Sequence, residues 1–117
     1  MNTAKLNNTI KQFHKNQNYS DIYKLGLCSE FAVALKRYLR GGTIYKQGLW
    51  HTILYYKGKY CDINGCQSSS QLMSNSPISL TKSNLRAATP KEIKHINNLL
   101  DHHEVSRILK GLKKAGN

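Results

Sequence analysis

Two segments rich in β-branched and aromatic residues, residues 50–56 and 59–63, flank the dipeptide Lys57-Gly58. This pattern predicts an antiparallel hairpin with a two-residue turn. Because the length of the turn fixes the register, the facing residues follow from it. The expected pairs are Tyr56 with Lys59, Tyr55 with Tyr60, Ile53 with Asp62, and His51 with Asn64.

The side chains of His51 and Asp62 therefore share one face of the predicted hairpin. As diagonal neighbours they lie about 7–8 Å apart at the backbone, a distance that an Asp carboxylate spans to reach an imidazole nitrogen. The carboxylate would fix the tautomer of the ring, and the ring would then act as a proton acceptor. A shift of one residue in the turn would place Asp62 on the opposite face. We expect Ile53, Tyr55 and Tyr60 to complete the face as an apolar wall.

The most regular helical pattern covers residues 27–40. Its apolar residues recur at i, i+4 spacing: Leu27, Phe31, Leu35 and Tyr38 or Leu39. The pair Gly41-Gly42 then predicts the end of the helix. We expect the apolar wall of the hairpin to pack against this helix.

Cys28 lies at the start of that helix, just after Gly26. The unpaired N–H groups and the positive end of the helix dipole stabilise an anion there, which predicts a thiol pKa below that of a free cysteine. Gly26 would let the backbone approach closely, and a backbone N–H at Cys28 would donate to an oxyanion. The alternative is structural: Cys28 as a small core residue, His51 as a surface side chain and Asp62 as a residue that bonds its local backbone.

The remaining segments complete an expected α+β domain. We expect a helix over residues 3–15, a strand over 43–46, a Ser-rich loop over 67–79 and a short strand at 78–80 or 85–88. The sequence Thr89-Pro90-Lys91-Glu92 and the pair Asp101 and Glu104 each predict a helix start, so two short C-terminal helices should follow one another. The N-terminal helix and the Cys28 helix should pack on a small antiparallel sheet, with the C-terminal helices closing its edge. All 117 residues form one expected domain, with a core at 26–65 and a helical segment at 89–114.

The charge of the chain supports a second kind of function. Eighteen Lys and Arg against six Asp and Glu give a net charge of +12, spread along the chain without a basic run. Such a field attracts nucleic acid, a nucleoprotein or other anionic partners, and tyrosines interleaved with lysines suit base stacking. The alternative is therefore a basic, non-catalytic binding protein. No apolar run is long enough to span a membrane and no secretory signal is visible, so we expect a cytoplasmic protein with free thiols; Cys61 and Cys66 would pair if it were exported.

A metal site is not expected. Cys61, Cys66, His102 and His103 are the available zinc ligands, but a Cys-x4-Cys spacing and two adjacent histidines lack the usual geometry. No phosphate-binding glycine loop is present either. The sequence predicts neither a metal nor a cofactor.

Taken together, three segments resemble the papain-like and transglutaminase-like cysteine hydrolases. They are GLCSEFAVAL from Gly26, WHTI from Trp50 and GKYCDING from Gly58, which together span residues 26–65. In that superfamily a nucleophilic Cys opens a helix, a His begins a strand, and an Asp or Asn lies on the next strand. The resemblance implies that Cys28 is the nucleophile, His51 the base and Asp62 the residue that orients His51.

The same resemblance implies a thiol hydrolase or acyl transferase that acts on an amide or isopeptide bond of a protein or peptide through an acyl-enzyme on Cys28. It also implies a polar oxyanion donor upstream of Cys28, for which Gln17, Asn16 and Asn18 are available and Gln17 is our choice. Residues 86–92 resemble segments of small phage-encoded proteins. A phage origin would imply action in the host cytoplasm, with an anti-defence inhibitor as one form of either function.

Overall fold

The computed structural model describes residues 1–17, 26–48, 51–74 and 85–116, with the side chain of residue 17 excepted. In these ranges five helices and five strands form an α+β fold. Their bounds are α1 Thr3–Gln17, α2 Cys28–Leu39, β1 Thr43–Gln47, β2 His51–Tyr56, β3 Lys59–Asp62, β4 Gly65–Gln67, α3 Ser69–Ser74, β5 Leu85–Ala87, α4 Pro90–Leu99 and α5 His102–Ala115.

The strands form one sheet in the order β4-β3-β2-β1-β5, in which every neighbouring pair is antiparallel. The β2–β3 hairpin has the predicted register, with Tyr56 opposite Lys59 and Tyr55 opposite Tyr60. Its turn has positive φ at both Lys57 and Gly58, as a type I′ turn requires. The short strand expected at 85–88 is confirmed as β5, whereas residues 78–80 lie outside the described ranges.

The predicted pairing of His51 with Asn64 is wrong. β3 ends at Asp62, and the chain turns back at residues 63 and 64 so that Asp62 pairs with Gly65 of β4. On the other side of β2, His51 pairs with Gln47 of β1. The β2–β3 ladder ends at the pair of Leu54 with Cys61, so the predicted pairs of Tyr56 and Tyr55 are confirmed, whereas Ile53 with Asp62 is not part of the ladder.

The helices α1, α2 and α5 pack on one face of the sheet. Phe31 and Leu35 of α2 share a buried cluster with Leu54, Tyr56 and Cys61, whose side chains alternate with those of the site residues along β2 and β3. The expected wall of Ile53, Tyr55 and Tyr60 is therefore on the face away from α2, and that expectation is wrong. On that opposite face the rings of Tyr45, Tyr55 and Tyr60 contact one another at centroid distances of 5.1–5.7 Å.

The last two helices differ from each other in their burial. α5 packs against α2 and α1 rather than closing the edge of the sheet, and it buries Val105, Ile108 and Leu112 in the core. α4 buries none of its residues. The predicted break between the two helices is confirmed, because Leu100 is extended and Asp101 caps α5. The Thr89 and Glu92 capping box is also present.

The predicted loop over residues 67–79 is wrong where the structure describes it. Gln67 ends β4, and Ser69–Ser74 form α3. The side chains of Ser68 and Gln71 each accept a hydrogen bond from the other's backbone N–H, which is a capping box at a helix start. Leu72, buried in the interior, anchors the helix. The Ser-x-x-Gln spacing was the signal for this helix in a segment whose composition is typical of a loop.

Replacing Gly65 by Ala should destabilise the protein by about 2–4 kcal/mol. Gly65 has φ +108, and an added Cβ would overlap Oδ1 of Asn7, the atom that accepts a hydrogen bond from the Cys66 N–H at 2.9 Å. Urea unfolding should show a lower midpoint at unchanged slope. Gly58→Ala is the matched control, because its φ is +82 but a Cβ there meets no atom within 4 Å. Equal losses in the two variants would show that the contact with α1 contributes nothing.

Candidate active site

The structure brings His51 and Asp62 into contact. The His51 Nε2 atom lies 3.4 Å from Asp62 Oδ2, and the side chains are 18% and 5% exposed. His51 is the first residue of β2 and Asp62 the last of β3, so the hairpin register alone places them side by side. The distance is longer than the ~2.7–2.9 Å of a charge-assisted hydrogen bond, so the contact is a loose one.

The carboxylate of Asp62 is held in place by its other oxygen. Oδ1 accepts a hydrogen bond from the backbone N–H of Asn64 at 2.8 Å and from the side-chain amide of Gln67 at 3.2 Å. Both donors come from the turn and strand that follow β3. Two donors on Oδ1 orient the carboxylate so that Oδ2 faces His51, and they satisfy a charge that is almost completely buried.

Cys28 is the first residue of α2, as the sequence predicted. The preceding residue, Leu27, is the N-cap of α2, and its side chain makes no capping hydrogen bond to the helix N–H groups. Gly26 has φ +71, and a Cβ added to it would meet none of the described residues within 4 Å. Its left-handed backbone favours glycine, and the expectation that it permits a close approach stays a prediction.

A hydrogen bond ties the start of α2 to the start of β2. The hydroxyl of Ser29 donates to Thr52 Oγ1 at 3.1 Å, and the ammonium of Lys46 donates to the same oxygen at 3.1 Å. Since Ser29 follows Cys28 and Thr52 follows His51, this contact fixes the two elements that carry the sulfur and the ring. Among the described residues no hydrogen bond joins the Cys28 sulfur to His51.

The thiol of Cys28 is less acidic than the sequence predicted. Burial, and then the negative charge of Asp62, raise its pKa to about 11. The backbone N–H at the helix start and the positive charge of Lys46 act in the opposite direction and are outweighed. The expected lowering by the helix terminus is thus present but smaller than desolvation. In the structure as it stands Cys28 is a neutral thiol at neutral pH, and a base is needed to activate it.

Lys46 is a charged neighbour of Cys28 that sequence analysis did not single out. Its own pKa is lowered, mainly by burial, and it interacts electrostatically with Cys28, Glu92 and Arg86. Alternation along β1 places Lys46 on the helix-covered face, so it could have been found from the strand pattern once that face was known. The polar support from Ser29, Thr52 and Gln67 depends on tertiary contacts and carries no local sequence signal.

Other predicted site features have different outcomes. The side chain of Gln17, the chosen oxyanion donor, and residues 18 and 50 lie outside the described part of the chain. His102 and His103 begin α5, whereas Cys61 and Cys66 lie on β3 and β4. In the described ranges no group of three or more His, Cys, Asp or Glu side chains is placed to hold a metal ion. Nor does any helix in those ranges have the length and apolar character needed to cross a membrane.

Comparison with known proteins gives no relative: no protein-family model, no curated protein and no solved structure matches this chain.

Proposed function

We propose that the protein is a papain-like or transglutaminase-like thiol hydrolase or acyl transferase that acts on an amide or isopeptide bond through an acyl-enzyme on Cys28. The observation that carries the proposal is the 3.4 Å contact of His51 with a buried, doubly hydrogen-bonded Asp62, whose charge also acts on the Cys28 thiol. A carboxylate held in this way fixes one nitrogen of the imidazole. A structural histidine at the end of a strand needs no such support.

In this proposal the two ring nitrogens of His51 have different roles. Asp62 accepts a hydrogen bond from the Nε2–H of His51, so Nδ1 is the atom that takes the proton from the Cys28 thiol. The thiolate then attacks the carbonyl carbon of the substrate amide, and the proton on Nδ1 passes to the leaving amine. Water, or an acceptor amine in a transferase, attacks the thioester and restores Cys28.

Activation requires Cys28 and His51 to approach each other. A thiol whose pKa is about 11 is almost entirely protonated at neutral pH, and transfer to an imidazole needs contact or one bridging water. The charge of Lys46 favours the thiolate once it forms. Backbone N–H groups at the start of α2 are the donors for the oxyanion of the tetrahedral intermediate.

The net charge of +12 supports the alternative of a basic binding protein less specifically. Three of the tyrosines that would stack on bases, Tyr45, Tyr55 and Tyr60, pack against one another. Arg86 and Arg107 are paired with Glu92 and Glu104. Neither arrangement calls for a nucleic acid partner, so we place the enzymatic function first.

Trapping the acyl-enzyme tests the proposal without knowledge of the natural substrate. The full chain is treated with p-nitrophenyl acetate, a small acyl donor that needs little of a substrate cleft, and is then digested for mass spectrometry. We expect an acetyl group on Cys28 that neutral hydroxylamine removes, as it removes thioesters but not lysine amides. Cys28→Ser should lose this adduct. Thioesters formed equally on Cys28 and Cys66 would show ordinary thiol chemistry and refute the assignment.

A further inference from the structure

Cys61 and Cys66 lie directly opposite each other on the β3–β4 hairpin. Their sulfur atoms are in contact at 2.8 Å, with both residues present as free thiols. Opposed residues of an antiparallel pair have Cα atoms about 4.5 or 5.5 Å apart, and both values fall within the range that a disulfide spans. The backbone therefore needs no movement to join these two sulfurs.

The hairpin around the pair is held in a fixed shape. Its second strand begins at Gly65 with φ +108, and the N–H of Cys66 donates to Asn7 of α1. Cys61 is completely buried in the core cluster, whereas Cys66 is partly exposed. The Cys66 thiol is thus accessible to a small reagent, whereas the Cys61 thiol contacts Cys66 and is shielded from solvent.

We infer that Cys61 and Cys66 form a redox-active dithiol that is oxidised by small-molecule disulfides to a reversible intramolecular disulfide. The geometry carries this inference: register, sulfur contact and unequal exposure all favour attack at one cysteine and resolution by the other. The inference concerns residues that the proposed hydrolase does not use, so it stands or falls independently of that function.

The reaction has two exchange steps. The Cys66 thiolate attacks one sulfur of oxidised glutathione, forms a mixed disulfide and releases one glutathione thiolate. The Cys61 thiol passes its proton to that thiolate, and its sulfur attacks the sulfur of Cys66. The second glutathione leaves as a thiolate and takes up the proton that Cys66 lost on ionising. The protein loses two electrons and two protons, and oxidised glutathione is reduced to two thiols.

The electrostatics of the pair agree with this order of attack. The hydrogen bond from the Cys61 thiol to the Cys66 sulfur lowers the pKa of Cys66 and, together with burial, raises that of Cys61. Lys59 also lowers the pKa of Cys66. The exposed thiol is accordingly the one that ionises first and attacks the reagent.

Equilibration with defined mixtures of reduced and oxidised glutathione tests the inference. The full chain is quenched with acid and mapped by mass spectrometry, alongside a synthetic peptide of residues 59–67. We expect a Cys61–Cys66 bond in the folded protein with an equilibrium constant about tenfold or more above that of the peptide, because the fold holds the thiols together. Equal constants, or a disulfide that includes Cys28, would overturn the inference.

Two variants check the order of attack. Cys61→Ser should accumulate the mixed disulfide of Cys66 with glutathione, while Cys66→Ser should leave the buried Cys61 largely unmodified. Accumulation of a glutathione adduct on Cys66 in the unaltered protein, without closure, would contradict the resolving role of Cys61. If circular dichroism shows that either variant is unfolded, the comparison of the unaltered protein with the peptide decides the matter.

Discussion

Replacing His51 by Ala should lower the turnover of an acyl donor at Cys28 by roughly a thousandfold or more. The reason is the acidity of the sulfur: with a pKa of about 11, Cys28 depends on a base at neutral pH. Without the imidazole, the rate should rise about tenfold for each unit of pH toward that pKa, because only spontaneous ionisation supplies the thiolate. The unaltered protein should reach its maximal rate at lower pH.

The measurement is the rate of thioester formation and breakdown at Cys28 as a function of pH. His103→Ala is a matched control, since His103 is an exposed residue of α5 and its loss removes the same ring elsewhere. It should leave the rate and the pH profile unchanged. A His51→Ala protein that keeps the full rate, or loses it to the same extent as His103→Ala, would mean that His51 is not the base.

Replacing Asp62 by Asn should move two properties of Cys28 in opposite directions. Turnover should fall by roughly 10²- to 10⁴-fold, because an amide nitrogen facing His51 favours the tautomer with its proton on Nδ1, where the base must accept one. Simple alkylation of Cys28 by iodoacetamide should become faster between neutral pH and pH 10. The Asp62 charge raises the pKa of the thiol, so removing it increases the thiolate fraction at a given pH.

Alkylation is followed at each cysteine separately by mass spectrometry of digested samples. Glu104→Gln serves as the control, because it also removes one negative charge but Glu104 is not among the groups that act on Cys28. Reactivity and turnover that fall together would indicate a distorted fold. Turnover that survives in Asp62→Asn would show that the contact with His51 is structural.

Local sequence determined the part of the site that the hairpin provides. A two-residue turn with a glycine at its second position leaves one register, and that register sets the distance between His51 and Asp62. The caps of α4 and α5 were predicted for the same reason, since capping depends on residues within one turn of the helix. The α2 helix, whose N-cap Leu27 makes no side-chain cap, was predicted from its apolar spacing instead.

The parts that could not be predicted depend on contacts distant in sequence. Which face of the sheet α2 covers is decided by the fit of Phe31 and Leu35 against Leu54 and Tyr56, and alternation along β2 is apolar on both faces. The predicted direction of the Cys28 pKa shift was wrong. Desolvation dominates that shift, and it depends on how closely the helix packs, which no local sequence pattern contains.

The sulfur and the imidazole of the candidate site lie on different elements. Cys28 begins a helix that covers one face of the sheet, whereas alternation along β2 places His51 on the other face. The distance between Cys28 and His51 therefore depends on how α2 packs against β2. The α5 helix in turn packs against α2. A sub-ångström slide of this helix would alter the proton-transfer distance while leaving the His51–Asp62 pair intact. Substitutions in α5 should therefore change the rate of the proposed reaction at Cys28 without altering the His51–Asp62 contact.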